Sequence, residues 1–154
     1  MALPLTKLVA RGFQRYWRLT RGLTIGVAAC VLDPNNRVLL VRDNGAAAWR
    51  LPAGQVESRE TLEAALTRIL KISSGIVLEG RPALFAIYPN HKLFPADHLA
   101  FYVVRMLAKD MEPAGLEKTR SDYYALDKLP ADLGAETAAR IRAVIESRVA
   151  EKLC

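Results

Sequence analysis

One stretch of the chain, between Gly54 and Ile76, decides the fold; it reads GQVESRETLEAALTRILKISSGI. Thr61 is a good N-cap, because its hydroxyl can accept a hydrogen bond from a free backbone N–H of the first helical turn. Apolar residues then recur at helical spacing up to Ser73-Ser74-Gly75, where glycine favours the left-handed backbone that ends many helices. The stretch therefore predicts a loop, a helix over 61–72 and a closing turn.

The segments around this stretch have the composition of β-strands. Residues 23–32 are rich in Val and Ile and run into Asp33-Pro34-Asn35-Asn36, a strong turn signal, after which residues 38–42 return. Further strands are predicted over 81–88 and 98–107, with a short edge strand or bend over 123–126.

A final helix is predicted over 136–152. Its inner side carries Ile141, Val144, Ile145 and Val149, which follow helical spacing. Strands mixed with two flanking helices predict an α+β domain of layered type.

Length and composition limit the class of protein. A chain of 154 residues suits one domain with a sizeable core, and 25% charged with 51% hydrophobic residues is typical of a soluble globular protein. The longest nearly apolar run, 22–32, is too short to cross a bilayer, and the start lacks the pattern of a secretory signal. Cys30 and Cys154 are the only cysteines and have no histidine at metal spacing. We therefore expect a cytoplasmic protein without a zinc site or a disulfide framework.

The positive charge of the chain is concentrated before the domain. The net charge is +6, and Lys7, Arg11, Arg15, Arg18 and Arg21 all precede the first acidic residue, Asp33. Residues 4–20 predict an amphipathic helix whose apolar stripe consists of Leu5, Leu8, Val9, Phe13, Tyr16 and Trp17. We therefore divide the chain into a basic N-terminal helix, 1–21, and a single domain, 22–154. The helix could pack on the domain, mediate a homodimer, or contact an anionic membrane or a nucleic acid.

The longer frame of the 54–76 stretch resembles the Nudix box. In that family the box runs Gly, five residues, Glu, seven residues, then Arg-Glu-apolar-any-Glu-Glu-any-Gly-apolar. The matching positions are held here by Gly54, Glu60, Arg68, Leu70, Gly75 and Ile76. Together with the Trp49-Arg50-Leu51-Pro52 segment and the preceding strand–turn–strand, the resemblance covers most of the chain. It implies a Nudix-like α/β/α sandwich with an extra N-terminal helix.

The sequence departs from the family at the residues that hold metal. The resemblance implies that three glutamates after the arginine bind Mg²⁺ or Mn²⁺, assisted by the first glutamate of the box. Those three positions hold Ile69, Ile72 and Ser73, which share a helical face. We expect an apolar patch there, in which the isoleucines are buried and the Ser73 hydroxyl is only a weak neutral ligand. We therefore expect no bound metal, with Glu57 and Glu60 as the candidates if one binds.

The remaining box residues define the candidate site. Its vestigial parts are Gly54, Glu57, Glu60, Arg68 and Gly75, and the candidate ligand-binding residues are Arg50, Glu60 and Arg68. We expect the protein to bind a phosphorylated small molecule or a partner without the metal-dependent diphosphate hydrolysis of the family.

The alternative is an active hydrolase of nucleoside diphosphate-linked substrates. Relocated carboxylates would then have to hold Mg²⁺ or Mn²⁺; the candidates are Glu57, Glu60 and Glu63, with Glu117 or Asp122.

Overall fold

The structure is a computed structural model that describes residues 9, 12, 22–92, 95–106 and 119–153. The elements follow the order β1 (Thr24–Leu32), β2 (Arg37–Asp43), β3 (Ala53–Gln55), α1 (Leu62–Ser74), β4 (Ala83–Pro89), β5 (Asp97–Arg105), β6 (Thr119–Ala125) and α2 (Ala135–Leu153). The predicted helix over 4–20 lies outside the described residues, apart from Val9 and Gly12. Among the described helices, none combines the length and the apolar composition needed to cross a bilayer.

The sheet is organised around β1. Its strands follow the order β4-β5-β1-β2-β6, and the short strand β3 also pairs with β1. β1 and β5 are parallel in register from Thr24 opposite Asp97 to Leu32 opposite Arg105. β6 is an edge strand, as one of the two predicted alternatives had it, but it is longer than predicted because it pairs antiparallel with the whole length of β2.

Among the described residues, one helix packs on each face of the sheet, as the α/β/α prediction requires. Side chains alternate along β1, so Val27 and Ala29 face one side and Ala28 and Cys30 the other. The first set shares a core with Ala65, Leu66, Ile69 and Leu70 of α1. The second set shares a core with Ile141, Val144 and Ile145 of α2. The layered α+β prediction is therefore confirmed.

The ends of α1 follow the sequence signals. The Thr61 side chain accepts a hydrogen bond from the Ala64 backbone N–H at 3.1 Å. Gly75 has a φ of 74°, and its N–H donates to the Lys71 carbonyl. This left-handed conformation is readily adopted by glycine, which explains why the helix stops there. The helix extends through Ser74, two residues beyond the predicted end.

Two apolar residues expected to be buried lie in solvent. Ile72 is 61% exposed, because the buried stripe of α1 runs through Ala65, Leu66, Ile69, Leu70, Ser73 and Ser74 and leaves Ile72 to one side. Val149 is 54% exposed, because it lies in the outer turns of α2, where residues 149–151 are all exposed. Helical spacing identified the inner faces but not where each face stops contacting the sheet.

Candidate ligand-binding cleft beside the box helix

Arg68 fastens the loop before α1 to the helix. Its Nε and Nη2 atoms donate to the two carboxylate oxygens of Glu60, at 2.8 and 2.9 Å, and Nη2 also donates to the Gln55 carbonyl at 2.9 Å. Glu57 adds an ion pair at 3.5 Å, and its backbone N–H donates to Glu60. Such a bidentate pair is both strong and geometrically specific. The hydrogen bonds from Arg68, followed by the one from Glu57, lower the pKa of Glu60 to about 2.

Ile69 occupies the space directly against Gly54. A Cβ placed on Gly54 would lie 2.7 Å from Ile69 Cδ1 and 3.0 Å from Cγ1. Real Cβ contacts are longer than this, so glycine is required for the close approach of helix and strand. The first of the three family glutamate positions is thus filled by a buried aliphatic side chain packed on β3.

The other two positions are also occupied without metal ligands. Ser73 is buried, and its hydroxyl donates to the Ile69 carbonyl at 2.6 Å. Ile72 faces solvent, so the expectation of one apolar patch across all three positions is wrong; only Ile69 and Ser73 are buried. A divalent cation such as Mg²⁺ needs several oxygen ligands, usually including carboxylates. The residues present therefore do not fit the metal that the fold family implies.

The carboxylates that could replace the family's glutamates do not all lie in one place. Glu57 and Glu60 both face Arg68, whereas Asp122 hydrogen bonds to the backbone N–H of Tyr123. Glu117 lies outside the described residues. Within the described ranges, no three or more His, Cys, Asp or Glu side chains form a group that could hold a metal ion.

A cleft of about 510 Å³ opens on the other side of Gly54. Its floor is formed by small residues, Gly26, Ala28, Ala53 and Gly54, and its walls by Arg50, Leu51, Gln55, Asn90, Lys92, Leu99, Glu136, Thr137 and Arg140. The absence of large side chains on the adjacent strands β1 and β3 creates the space. Glu60 and Arg68 lie outside this lining, so the structure separates them from Arg50 among the predicted ligand-binding residues.

The lining carries more positive than negative charge. Arg50, Lys92 and Arg140 are its cations and Glu136 is its carboxylate. Lys92 and Arg140 both reach Glu136, at 2.8 and 3.7 Å. The hydrogen bond from Lys92 lowers the pKa of Glu136. Arg50 is oriented by Asp43, whose carboxylate accepts a hydrogen bond at 2.9 Å.

Backbone contacts fix the elements that supply these side chains. The Trp49 N–H donates to the Asp132 carbonyl, and the Gly134 N–H donates to the Trp49 carbonyl, so the start of α2 is held beside Arg50. Asn90 is bound twice by the buried Asp97, through its backbone N–H at 2.8 Å and its side-chain amide at 2.7 Å. The cleft is therefore preformed on both sides.

Sequence reasoning missed most of this lining. Asn90 and Lys92 follow β4, whereas Glu136, Thr137 and Arg140 lie in the first turns of α2. No local motif connects these residues with the box. The available signal was the polar side of the last predicted helix, which by itself is typical of any solvated helix.

A second cavity, of about 500 Å³, lies at the far end of the sheet. It is bordered by Leu84, Phe85, Val103, Val144 and Arg148, among others, and does not touch the 54–76 stretch. The cleft beside Gly54 adjoins the box, whereas this second cavity does not.

Comparison with known proteins identifies the family. The model of the NUDIX domain matches residues 22–144. The chain belongs to the Nudix family. No curated protein sequence gives a significant match.

Several solved structures resemble this Nudix protein. A MutT NUDIX hydrolase from Burkholderia pseudomallei has a TM-score of 0.62 and 23% identity, over 77% of this chain and 95% of that one. A putative nudix hydrolase family member from Chromobacterium violaceum has a TM-score of 0.64 and 19% identity, over 82% and 79%. An ADP-ribose pyrophosphatase from Streptococcus suis 89-1591 has a TM-score of 0.60 and 24% identity, over 77% and 89%. At these identities the likenesses show the fold alone.

Proposed function

We propose that this Nudix protein binds a phosphorylated, nucleotide-like ligand in the cleft beside Gly54 and does not hydrolyse it by the metal-dependent route of its family. The observation that carries the proposal is the packing of Ile69 against Gly54. An aliphatic side chain there cannot coordinate a cation, and the Ser73 hydroxyl is already bonded to a backbone carbonyl. Arg68 and Glu60 hold the loop before α1 to the helix by direct hydrogen bonds between their side chains.

The charge and size of the cleft support an anionic ligand. Arg50, Lys92 and Arg140 can supply charge-assisted hydrogen bonds to phosphate oxygens. Arg140 and Lys92 currently share Glu136, so a phosphate would compete with that carboxylate for both cations. The volume of about 510 Å³ lies within the usual range of small-molecule sites.

ADP-ribose is a reasonable first probe, since one of the similar structures is named an ADP-ribose pyrophosphatase. Titration calorimetry of the whole protein with ADP-ribose, without divalent metal, should give saturable binding. Loss of one charge-assisted hydrogen bond costs about 1.5–3 kcal/mol, so Arg140→Ala should weaken binding about 10- to 150-fold. Arg148→Ala, at the second cavity, is the matched control and should leave the affinity unchanged. Equal effects of the two substitutions would contradict the proposed location.

The proposed absence of metal-dependent hydrolysis has a separate test. Glutamate introduced together at Ile69, Ile72 and Ser73 should create Mn²⁺ binding that the parent protein lacks. Isothermal titration with Mn²⁺ measures this directly, and glutamine at the same positions is the control. If the triple glutamate variant gains no Mn²⁺ affinity, the loss of the three glutamates does not explain why this protein lacks the metal binding of its family.

The alternative is a working hydrolase with carboxylates recruited from elsewhere. Its basis is membership of the Nudix family. Cleavage of ADP-ribose to AMP and ribose 5-phosphate, with Mg²⁺ or Mn²⁺ supplied, would support it. Turnover by the parent protein that disappears in Glu60→Gln would favour this alternative over the proposal.

A further inference from the structure

The second cavity has the size and the apolar wall of a small-molecule site. Its volume of about 500 Å³ lies within the usual range of such sites. Phe85, Val103 and Val144 line it, and all three also belong to the core between the sheet and α2. Two small residues complete this side of the lining: Ala83, which lies opposite Val103 in the sheet, and Ser147 of α2. The cavity therefore adjoins the core and offers an apolar surface to a ligand.

Two arginines from different elements converge on this cavity. Arg105, the last residue of β5, lies two residues after Val103 and so points to the same side of the sheet. Arg148 lies one helical turn after Val144 on α2. Burial raises the pKa of the Cys30 thiol to about 12, and the positive charges of Arg148 and Arg105 oppose that rise. The guanidinium groups of the strand and of the helix therefore act on the same part of the sheet.

The lining of the cavity carries one net positive charge. Arg81 is its third arginine, and Glu79 and Glu151 are its two carboxylates. Within the described ranges, no ion pair joins any of the three arginines to a carboxylate. Arg148 donates one hydrogen bond, from Nη2 to Asn36 Oδ1 at 2.9 Å, which orients its guanidinium group. Because arginine has five N–H donors, others remain for a ligand.

We propose that the second cavity binds a small monoanion with an apolar body, of the class of carboxylic acids with a hydrocarbon chain. The carboxylate accepts hydrogen bonds from Arg105 and Arg148, since the planar guanidinium group matches a carboxylate in bidentate geometry. The hydrocarbon chain lies against Phe85 and Val144, where burial of apolar surface is favourable. A net charge of one favours a single negative charge over the two of a diphosphate. The second cavity and the cleft beside Gly54 therefore select different ligands.

Titration calorimetry of the whole protein with octanoate tests this proposal. Octanoate should bind saturably, one molecule per chain, and its neutral analogue octanamide should bind at least about 10-fold more weakly. Arg105→Ala and Arg148→Ala should each weaken octanoate binding about 10- to 150-fold, because each removes a charge-assisted hydrogen bond. Arg105 is exposed, so Arg105→Ala still tests the site if Arg148→Ala, which also loses the bond to Asn36, lowers the stability.

Arg140→Ala, in the cleft beside Gly54, is the matched control and should leave the affinity for octanoate unchanged. Weaker octanoate binding in Arg140→Ala, with full affinity in Arg105→Ala and Arg148→Ala, would place the anion in the cleft and overturn the proposal. Equal affinities for octanoate and octanamide would also overturn it, as would the absence of saturable octanoate binding by the parent protein. These titrations do not depend on whether ADP-ribose binds in the cleft.

Discussion

The contact between Ile69 and Gly54 can be tested by a double-mutant cycle. Gly54→Ala adds a methyl group 2.7 Å from Ile69 Cδ1, and overpacking of this kind costs about 1–3 kcal/mol. Ile69→Ala removes a buried side chain and alone costs about 2–5 kcal/mol. In the double variant the clashing atoms, Cδ1 and Cγ1, are gone, so the methyl group on residue 54 fits. The double variant should therefore be more stable than the sum of the single effects predicts, by about 1–3 kcal/mol.

Urea unfolding of the four proteins measures this coupling. The free energy of unfolding in water is compared between the four proteins, and so are the m-values. A changed m-value would reveal a change in the unfolded state. Gly134→Ala is the control substitution, because its Cβ would lie 3.7 Å from its nearest neighbours, Thr137 Oγ1 and the Trp49 carbonyl. Combined with Ile69→Ala it should be additive within about 0.5 kcal/mol.

Additivity of Gly54→Ala and Ile69→Ala would refute the reasoning. Ile69 would then not rest on Gly54 in solution, and the proposal that it fills the family's metal position would lose its main support. Coupling of the expected sign would mean that the aliphatic side chain has become part of the packing that holds α1 on β3.

Three further predictions concern the box loop and the edge strand. Arg59 has a φ of 66°, a left-handed conformation that costs a non-glycine residue about 1–2 kcal/mol. Glycine avoids this cost but loses more chain entropy on folding, so Arg59→Gly should stabilise the protein by about 0.5–1 kcal/mol in urea unfolding. A loss of stability would contradict this prediction. The pKa of Glu60 is lowered from 4.5 to about 2, chiefly by Arg68. The stabilisation from this pair is therefore complete above about pH 4.5 and is lost as the pH falls towards 2. In thermal melts, the melting temperature of Glu60→Gln should fall less over that pH interval than that of the parent. The Tyr123 hydroxyl is buried without a hydrogen-bond partner among the described residues, and burial raises its pKa to about 12. Tyr123→Phe should therefore be neutral or stabilising in the same urea assay, and a loss above about 1 kcal/mol would reveal a partner.

The sequence signals located the fold elements because most of them were local. The Asp33-Pro34 turn between β1 and β2, the Thr61 cap and the Gly75 stop each depend on a few neighbouring residues, and the structure confirms them. Burial at the margins was not predictable in the same way. Ile72 and Val149 have the right residue type and spacing, but their exposure depends on where the opposing sheet ends, which is a tertiary property.

In the candidate site too, the features that depend on neighbouring residues could be predicted from the sequence, and those that depend on tertiary contacts could not. The positions of Glu60 and Arg68 follow from the box pattern, and the structure places the two side chains in bidentate contact. The cleft does not follow from it, since Lys92 and Arg140 come from a loop and a helix far along the chain. Such residues are brought together by sheet order, which a single sequence specifies only weakly.

The position of β1 has a consequence for how the protein is made. This strand is central in the sheet, yet its parallel partner begins at Asp97, opposite Thr24. At synthesis rates of about 5–20 residues per second, Asp97 is added roughly 4 to 15 seconds after Thr24. During that interval a nascent chain carries a long apolar strand with only β2 and β3 to pair with. Cotranslational protection of β1 by the ribosome surface or a chaperone would shield it until β5 emerges.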